Sequence, residues 1–311
     1  MSKSFQFLFV LASLTTISSA QTITETFGSG ANMFTMDFVE IGNPGNAADT
    51  TGYGSVGYSY NLGRHEVSRD QIEKANATGS LGITMYDMSG YGGNGVNRPA
   101  TGVSWYEAAT YVNWLNTSTG NTAAYKFVGG TFQLWSPGDA GYNASNMFRN
   151  SLAKYVIASR DEWYKGAYGN RDGTWNNYPT GSDSPPTAVS SGTDANTAVY
   201  GGLSGPADIT SAGGLSPYGT MGQGGNVWEW NETAYDGIND TAGENRELRG
   251  GSWINGGSYN SNILAASYRL NFFSPSDKYD SFGLRVASVP EPSSLSLLAL
   301  GGLVVAMRRK R

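Results

Sequence analysis

The sequence predicts an irregular, loop-rich α+β domain, and three observations predict it. Glycine supplies 43 of 311 residues, about twice the usual share, which points to tight turns and long ordered loops. Hydrophobic residues make up 39%, and 8 Trp, 19 Tyr and 12 Phe are enough to build a core. The apolar runs are short and of strand type, and they are interrupted by three helix starts.

Taken in order, Phe34 to Ile41 alternates apolar residues at Phe34, Met36 and Phe38, the period of a half-buried strand. Tyr58 to Leu62 reads as a second strand. Ser68 stands three residues before Gln71, Ser104 before Glu107, and Ser159 before Glu162. This is capping-box spacing, in which serine and acid or amide satisfy free amides at a helix N-terminus. Asp161 and Glu162 then fall in a first turn, where the helix dipole favours acids. The middle helix carries a stripe of Tyr106 or Trp105, Ala108, Ala109, Val112 and Leu115, ending near Asn116. Later apolar features are Asn226 to Trp230, Leu248 to Ile254 and Phe282 to Ala287. Ser182 to Gly214 is rich in small and polar residues, but no linker divides the chain before Pro290. One domain over 21–288 is expected.

Composition excludes several chemistries. With no cysteine there is no disulfide, thiolate nucleophile, zinc ribbon or iron–sulfur cluster. The single histidine, His65, cannot build a multi-histidine metal centre. A His65–Glu66 pair is a formal base, but a lone histidine usually has a structural role. Neither a phosphate-binding Gly-Lys-Ser/Thr loop nor a Gly-x-Ser-x-Gly elbow occurs. No internal run of Lys or Arg offers a nucleic-acid footprint.

The ends read as address labels. Residues 1–20 have the pattern of a signal peptide: Lys3, an apolar stretch from Phe5 to Ile17, and Ser18-Ser19-Ala20 before the expected cleavage. At 289–311, Val289-Pro290-Glu291-Pro292 leads through an apolar stretch from Leu295 to Met307 into Arg308-Arg309-Lys310-Arg311. This tail resembles the PEP-CTERM sorting signal. The resemblance implies an exosortase-type sorting protease as partner and a destination at the cell surface or in an extracellular matrix, with transient membrane anchoring through the apolar transmembrane segment. Removing Lys3 and the four basic tail residues leaves 15 basic against 25 acidic side chains, a net charge of −10. Such a surface repels nucleic acid and favours cations.

Six blocks then stand in one order: Gly63-Arg64-His65-Glu66-Val67-Ser68; Pro99 to Ala109 with Asn113-Trp114-Leu115; Ala158 to Trp163; Gly225-Asn226-Val227-Trp228-Glu229-Trp230; Arg249-Gly250-Gly251-Ser252-Trp253; and Phe282 to Ala287. Together they resemble the sulfatase-modifying factor family, whose founding activity is formylglycine generation. The resemblance implies an irregular α+β fold related to C-type lectins, stabilised by calcium, with the His65–Glu66 block in a strand. The tryptophans Trp228, Trp230 and Trp253 are expected in the core.

The resemblance also implies a calcium site made by the carbonyls of Gly225 and Val227 and the carboxylate of Glu229. The usual Asp or Asn of that loop is Gly222 here, so water or Asp236 would have to complete it, and a Glu229–Arg249 ion pair is the competing expectation. Asn196 is a candidate for a second calcium site. The copper-binding cysteine pair of the enzyme falls on Asn255 and Asn260. An amide cannot replace a thiolate, so copper and formylglycine generation by that route are excluded. The iron-dependent sulfoxide synthases of the family need a histidine triad that this chain lacks. The expected function is a non-catalytic surface module using a former substrate groove, lined by Asn255, Asn260, Tyr259 and Tyr268, for a ligand such as a polysaccharide. The alternative is an enzyme of the same fold with cysteine-independent chemistry.

Overall fold

The computed structural model describes residues 22–289, with the side chains of 257–259 and 270–272 left aside. The signal over 1–20 and the sorting segment from 290 onward lie outside the described residues. Among those described, no helix is long and apolar enough to cross a membrane.

Two sheets share one core. The first is built from β1 (Thr22–Phe27), β2 (Phe34–Ile41) and β3 (Tyr60–Gly63). In β2 the expected alternation buries Phe34, Met36 and Phe38, and β1 pairs antiparallel to it with Phe27 opposite Phe34. Helices α1 (Arg69–Gly79) and α2 (Trp105–Ser118) follow. Both capping boxes form, with Ser68 accepting from the Gln71 amide and Ser104 from that of Glu107. In α2 the inward position is taken by Trp105, fully buried, while Tyr106 is half-buried.

A hairpin of β4 (Lys126–Val128) and β5 (Thr131–Gln133) precedes β6 (Tyr155–Ile157) and α3 (Arg160–Tyr168), the third capped helix. Asn116 latches α2 to β6: its Nδ2 donates to the Tyr155 carbonyl, and its Oδ1 accepts from the Lys154 and Tyr155 amides. A long loop region holds the two-residue strands β7 (Thr187–Ala188) and β8 (Thr197–Ala198). There Met88, Val199, Ala207, Ala212, Met221, Val227 and Trp253 form a small second core.

The second sheet contains β9 (Trp228–Ala234), β10 (Arg246–Arg249), β11 (Leu270–Phe273) and β12 (Phe282–Leu284), in the order β11-β10-β9-β12. Every residue of β9 is buried, and Trp228, Trp230 and Trp253 are core residues as expected. After β12 the chain crosses into the first sheet as β13 (Val286–Ser288), between β3 and β6. The residue at this crossing is Arg285, fully buried between the two sheets. A guanidinium cannot be left there unpaired, so its partners shape the centre of the molecule.

Candidate functional site

Those partners are on the page of the sequence but far apart in it. Arg285 donates from Nε and Nη2 to Glu229, the shortest contact being 2.6 Å, and from Nη1 and Nη2 to the carbonyls of Gly63 and Met221. Trp163 Nε1 adds a bond of 2.6 Å to Glu229 Oε2. Each Glu229 oxygen therefore accepts two donors. The ion pair expected with Arg249 does not form, because Arg249 pairs with Glu247 on its own strand at 3.0 Å.

Beside this pair lies a second buried carboxylate. Glu66 accepts from Asn226 Nδ2 at 2.5 Å and from the Val227 amide at 3.2 Å. Gly222 has φ +80°, and a Cβ there would stand 3.1 Å from the Glu66 carboxyl. The Glu66 carboxyl thus occupies the space that an Asp or Asn at 222 would need. Burial, and then the charge of Glu229, push Glu66 up to about 8 despite Arg285 and its two hydrogen bonds. His65 lies in a bend and Glu66 in irregular chain after β3, which ends at Gly63, and not within the strand.

This donor set does not fit the calcium site that the resemblance implied. Calcium takes six to eight oxygens, but Glu229 is committed on both oxygens and a guanidinium sits 2.6 Å away, where a dication would be repelled. Asp236 is exposed and caps its own turn through the Ile238 amide. Asn196, at φ 52°, is held by Thr180 and the Pro185 carbonyl. Among the described residues no group of three or more His, Asp or Glu converges to hold a metal.

Residues 250–268, the segment to which the resemblance assigns a substrate groove, follow β10 as the expected wall of that groove. Its turn is closed by Asn255, whose Oδ1 accepts from both Ser252 N and Ser252 Oγ at 2.8 Å. The Asn255 carbonyl accepts from Gly201, and Trp253 from Leu203, which ties the wall to the small core. Asn260 is exposed in the 3-10 segment Gly257–Leu264 at φ 26°, a conformation disfavoured for a non-glycine residue, and its Oδ1 accepts from the Asn262 amide. Both oxygens thus serve the local backbone, while among the described residues neither side-chain nitrogen donates a hydrogen bond. Tyr268 is half-buried with its ring centroid 6.1 Å from that of Trp228. The side chain of Tyr259 lies outside what is described.

Sequence reasoning missed Arg285 and Glu66 as partners of this centre, and Arg160, Arg269 and Tyr53 beside the wall. One signal was available for the first: an Arg inside the apolar run Phe282 to Ala287 must find a buried acid. On the α1 side, a separate cavity of about 390 Å³ is lined by Asp37, His65, Glu66, Asp70 and Lys74 among others. Burial and the Arg285 and Arg64 charges lower His65 to about 4, so it is neutral at pH 7.

Among solved structures the chain is similar to Treponema denticola variable protein 1 at 20% identity and TM-score 0.59, covering 86% of this chain and 99% of that one. It is similar to CarF at 19% and 0.56, covering 82% and 99%, and to PvdO from Pseudomonas aeruginosa at 16% and 0.51, covering 86% and 98%. At these identities the likeness establishes the fold alone. A comparison with curated proteins gives no match. Residues 288–311 match the PEP-CTERM protein-sorting motif, which implies processing by exosortase-type machinery and supports export and cell-surface anchoring. The Sulfatase-modifying factor enzyme 1-like domain matches residues 33–289, spanning both sheets apart from β1, all three capped helices and the wall, and the chain belongs to that family.

Proposed function

We propose that this is a non-catalytic binding module of the bacterial surface or extracellular matrix, which uses the wall of Asn255, Asn260, Tyr259 and Tyr268 to hold a polysaccharide. One observation carries the reading: the two positions implied for the copper-binding cysteines hold asparagines whose side-chain nitrogens make no hydrogen bond among the described residues. Two free amide donors, together with the Tyr268 ring on the same segment, suit a sugar, which presents hydroxyls along its edge and apolar carbons on its face. The sorting motif delivers the domain to a location where such polymers are found.

Calorimetric titration of the purified chain with neutral and acidic polysaccharides tests this. Asn255→Asp and Asn260→Asp keep the oxygen that each backbone turn needs and remove the donors. Loss of saturable binding in these variants with the melting temperature kept is expected. Unchanged binding would remove the wall from the interface.

A second reading, an enzyme of the same fold with cysteine-independent chemistry, is favoured by the cavity at His65. Its wall includes Glu66, raised to about 8, a value suited to general acid catalysis near neutral pH. Release of reducing ends from the same polysaccharides, abolished by Glu66→Gln, would establish it. Absence of any turnover would leave the binding module.

A further inference from the structure

A positive cluster lies next to the wall, contributed by parts of the chain that are distant in sequence. Arg160 opens α3, Glu247 and Arg249 share one face of β10, and Arg269 precedes β11. All three guanidinium groups stand over the ring of Tyr53, at 4.5, 5.2 and 5.6 Å from its centroid. The one carboxylate within the cluster, Glu247, is fully buried and reaches Arg249 at 3.0 Å, Arg269 at 3.6 Å and Arg160 at 3.8 Å. Asp49 and Asp161 stand at its edge, committed to the Tyr164 hydroxyl and the Gly54 amide.

These charges are incompletely satisfied. Arg160 makes no side-chain hydrogen bond among the described residues, although its side chain is only 15% exposed. Its Nε, Arg249 Nη2, Arg269 Nε and Glu247 Oε2 are all buried without a hydrogen-bond partner. Arg249 itself is 1% exposed. Buried guanidinium donors are ordinarily paired, and a planar fork of N–H groups is matched by an oxyanion. Arg160 also sits at the positive end of a helix, a position that favours anions and not an arginine. Tyr235, 48% exposed, lies against Arg269, whose Nη1 and Nη2 donate to the Tyr53 hydroxyl and the Tyr235 carbonyl.

We propose that Arg160, Arg249 and Arg269 around Tyr53 form a binding site for the oxyanion, a carboxylate or a sulfate, of an acidic sugar unit. The proposal rests on the reading of the domain as a polysaccharide-binding module, and it names the class of polymer. The two surfaces are joined through Arg249, whose Nη1 donates to the carbonyls of Ala266 and Tyr268. On a chain whose other charges are predominantly acidic, this cluster gives an anionic polymer one place to dock.

The test titrates the full chain with polygalacturonate, dextran sulfate and uncharged dextran, and with free glucuronate and inorganic sulfate as small probes. Binding of at least one acidic polymer is expected, weakened at least tenfold by Arg160→Gln or by Arg269→Gln, and weakened by added salt. The carboxylate and sulfate arms identify the oxyanion. Arg160→Lys, which keeps the charge and loses the fork, is expected to fall between wild type and Arg160→Gln, and melting curves identify any variant that has lost its fold. Acidic-polymer binding unaffected by either glutamine variant overturns the proposal, as does failure of all acidic polymers and both small probes to bind. Binding of uncharged dextran that depends on Asn255 and Asn260, with no acidic-polymer binding that needs the arginines, would leave the wall standing while this site falls. Arginine-dependent binding that survives Asn255→Asp would do the reverse.

Discussion

Two of the buried ionic clusters among the described residues, one at the crossing between the sheets and one beside residues 250–268, differ in completeness. At the crossing between sheets, Arg285 and Glu229 satisfy each other, and Trp163, Gly63 and Met221 take up what remains. Next to the wall, Glu247 faces three arginines, and one oxygen and three guanidinium nitrogens stay buried without a hydrogen-bond partner among the described residues. A closed cluster has nothing left for a ligand and serves the fold. An open cluster retains donors at a cost in stability, which selection tolerates where something binds. The difference separates a structural ion pair from a recognition site more sharply than burial does, since Glu229 and Glu247 are both fully buried.

The comparison breaks first under the same substitution made in each cluster. Glu229→Gln removes the charge that balances Arg285 and replaces an acceptor oxygen by a donor, leaving a buried cation without its anion. A loss of about 4 kcal/mol is expected, within the range for removing one partner of a buried pair. Glu247→Gln keeps an oxygen for Arg249 but strips the charge facing three guanidinium groups; water reaches Arg160 and Arg269, so a smaller loss of about 2 kcal/mol is expected. Urea denaturation of the two variants measures both. Equal losses would show that the second cluster is as structural as the first.

Glu66 sharpens the contrast by pH. It ionises near 4.5 when unfolded and at about 8 when folded, so between these values the folded state holds the extra proton. Stability is then fully present below the unfolded value and declines as pH rises toward 8, by about 1.4 kcal/mol per unit. From pH 5 to 7 this amounts to about 3 kcal/mol, which Glu66→Gln should abolish. Glu162 runs the other way. Burial acts to raise it, but Arg149, the Tyr58 hydroxyl and the Ser159 amide overcome burial and hold it at about 2, so its contribution is present above pH 4.5 and lost as pH falls through 2. Melting temperatures across pH 2–8 separate the two. His65, lowered to about 4, works against Glu66 between pH 4 and 6.5, so the deciding quantity is the difference from Glu66→Gln: a profile that this substitution leaves unchanged would return Glu66 to an ordinary carboxylate.

What the sequence made legible follows the range of each interaction. The capping boxes at Ser68, Ser104 and Ser159 span three residues, and all three form. The strand at Phe34 has a period of two and is present as read. Three-residue strands such as β4, β5 and β6 are too short to show a period, and β11 follows the wall with no turn signal that marks it. The pairing of Glu229 with Arg285 joins residues 56 apart, and Arg160 meets Arg249 only after β9 and β10 pair. A local reading picks Arg249, because it stands in the conspicuous Arg-Gly-Gly-Ser-Trp block. The register of β12 on β9, with Gly283 opposite Glu229, brings in Arg285 instead.

Within the wall, the expected effects are smaller and concern shape. Asn255 Oδ1 holds two Ser252 donors, so Asn255→Ala should cost about 1–2 kcal/mol for two lost bonds in a half-buried turn. Asn255→Asp should cost less, because the oxygen remains. Thermal melts of the pair check this ordering. If both variants match the wild type, the turn is held by its backbone contacts to Gly201 and Leu203, and the asparagine is free for a ligand.

The smallest effect is expected from calcium. With both Glu229 oxygens taken by Arg285 and Trp163, and with Glu66 filling the space above Gly222, a dication at this loop would have to displace a guanidinium from the core. Removing calcium with a chelator, or adding it in excess, should therefore shift the melting temperature by less than about 1 °C, equivalent to roughly 0.3–0.5 kcal/mol for a domain of this size. A stabilisation of several degrees that Glu66→Gln removes would reverse the conclusion. It would mean that the ion, and not a proton, balances the second buried carboxylate, and that the centre of the molecule closes only when metal is bound.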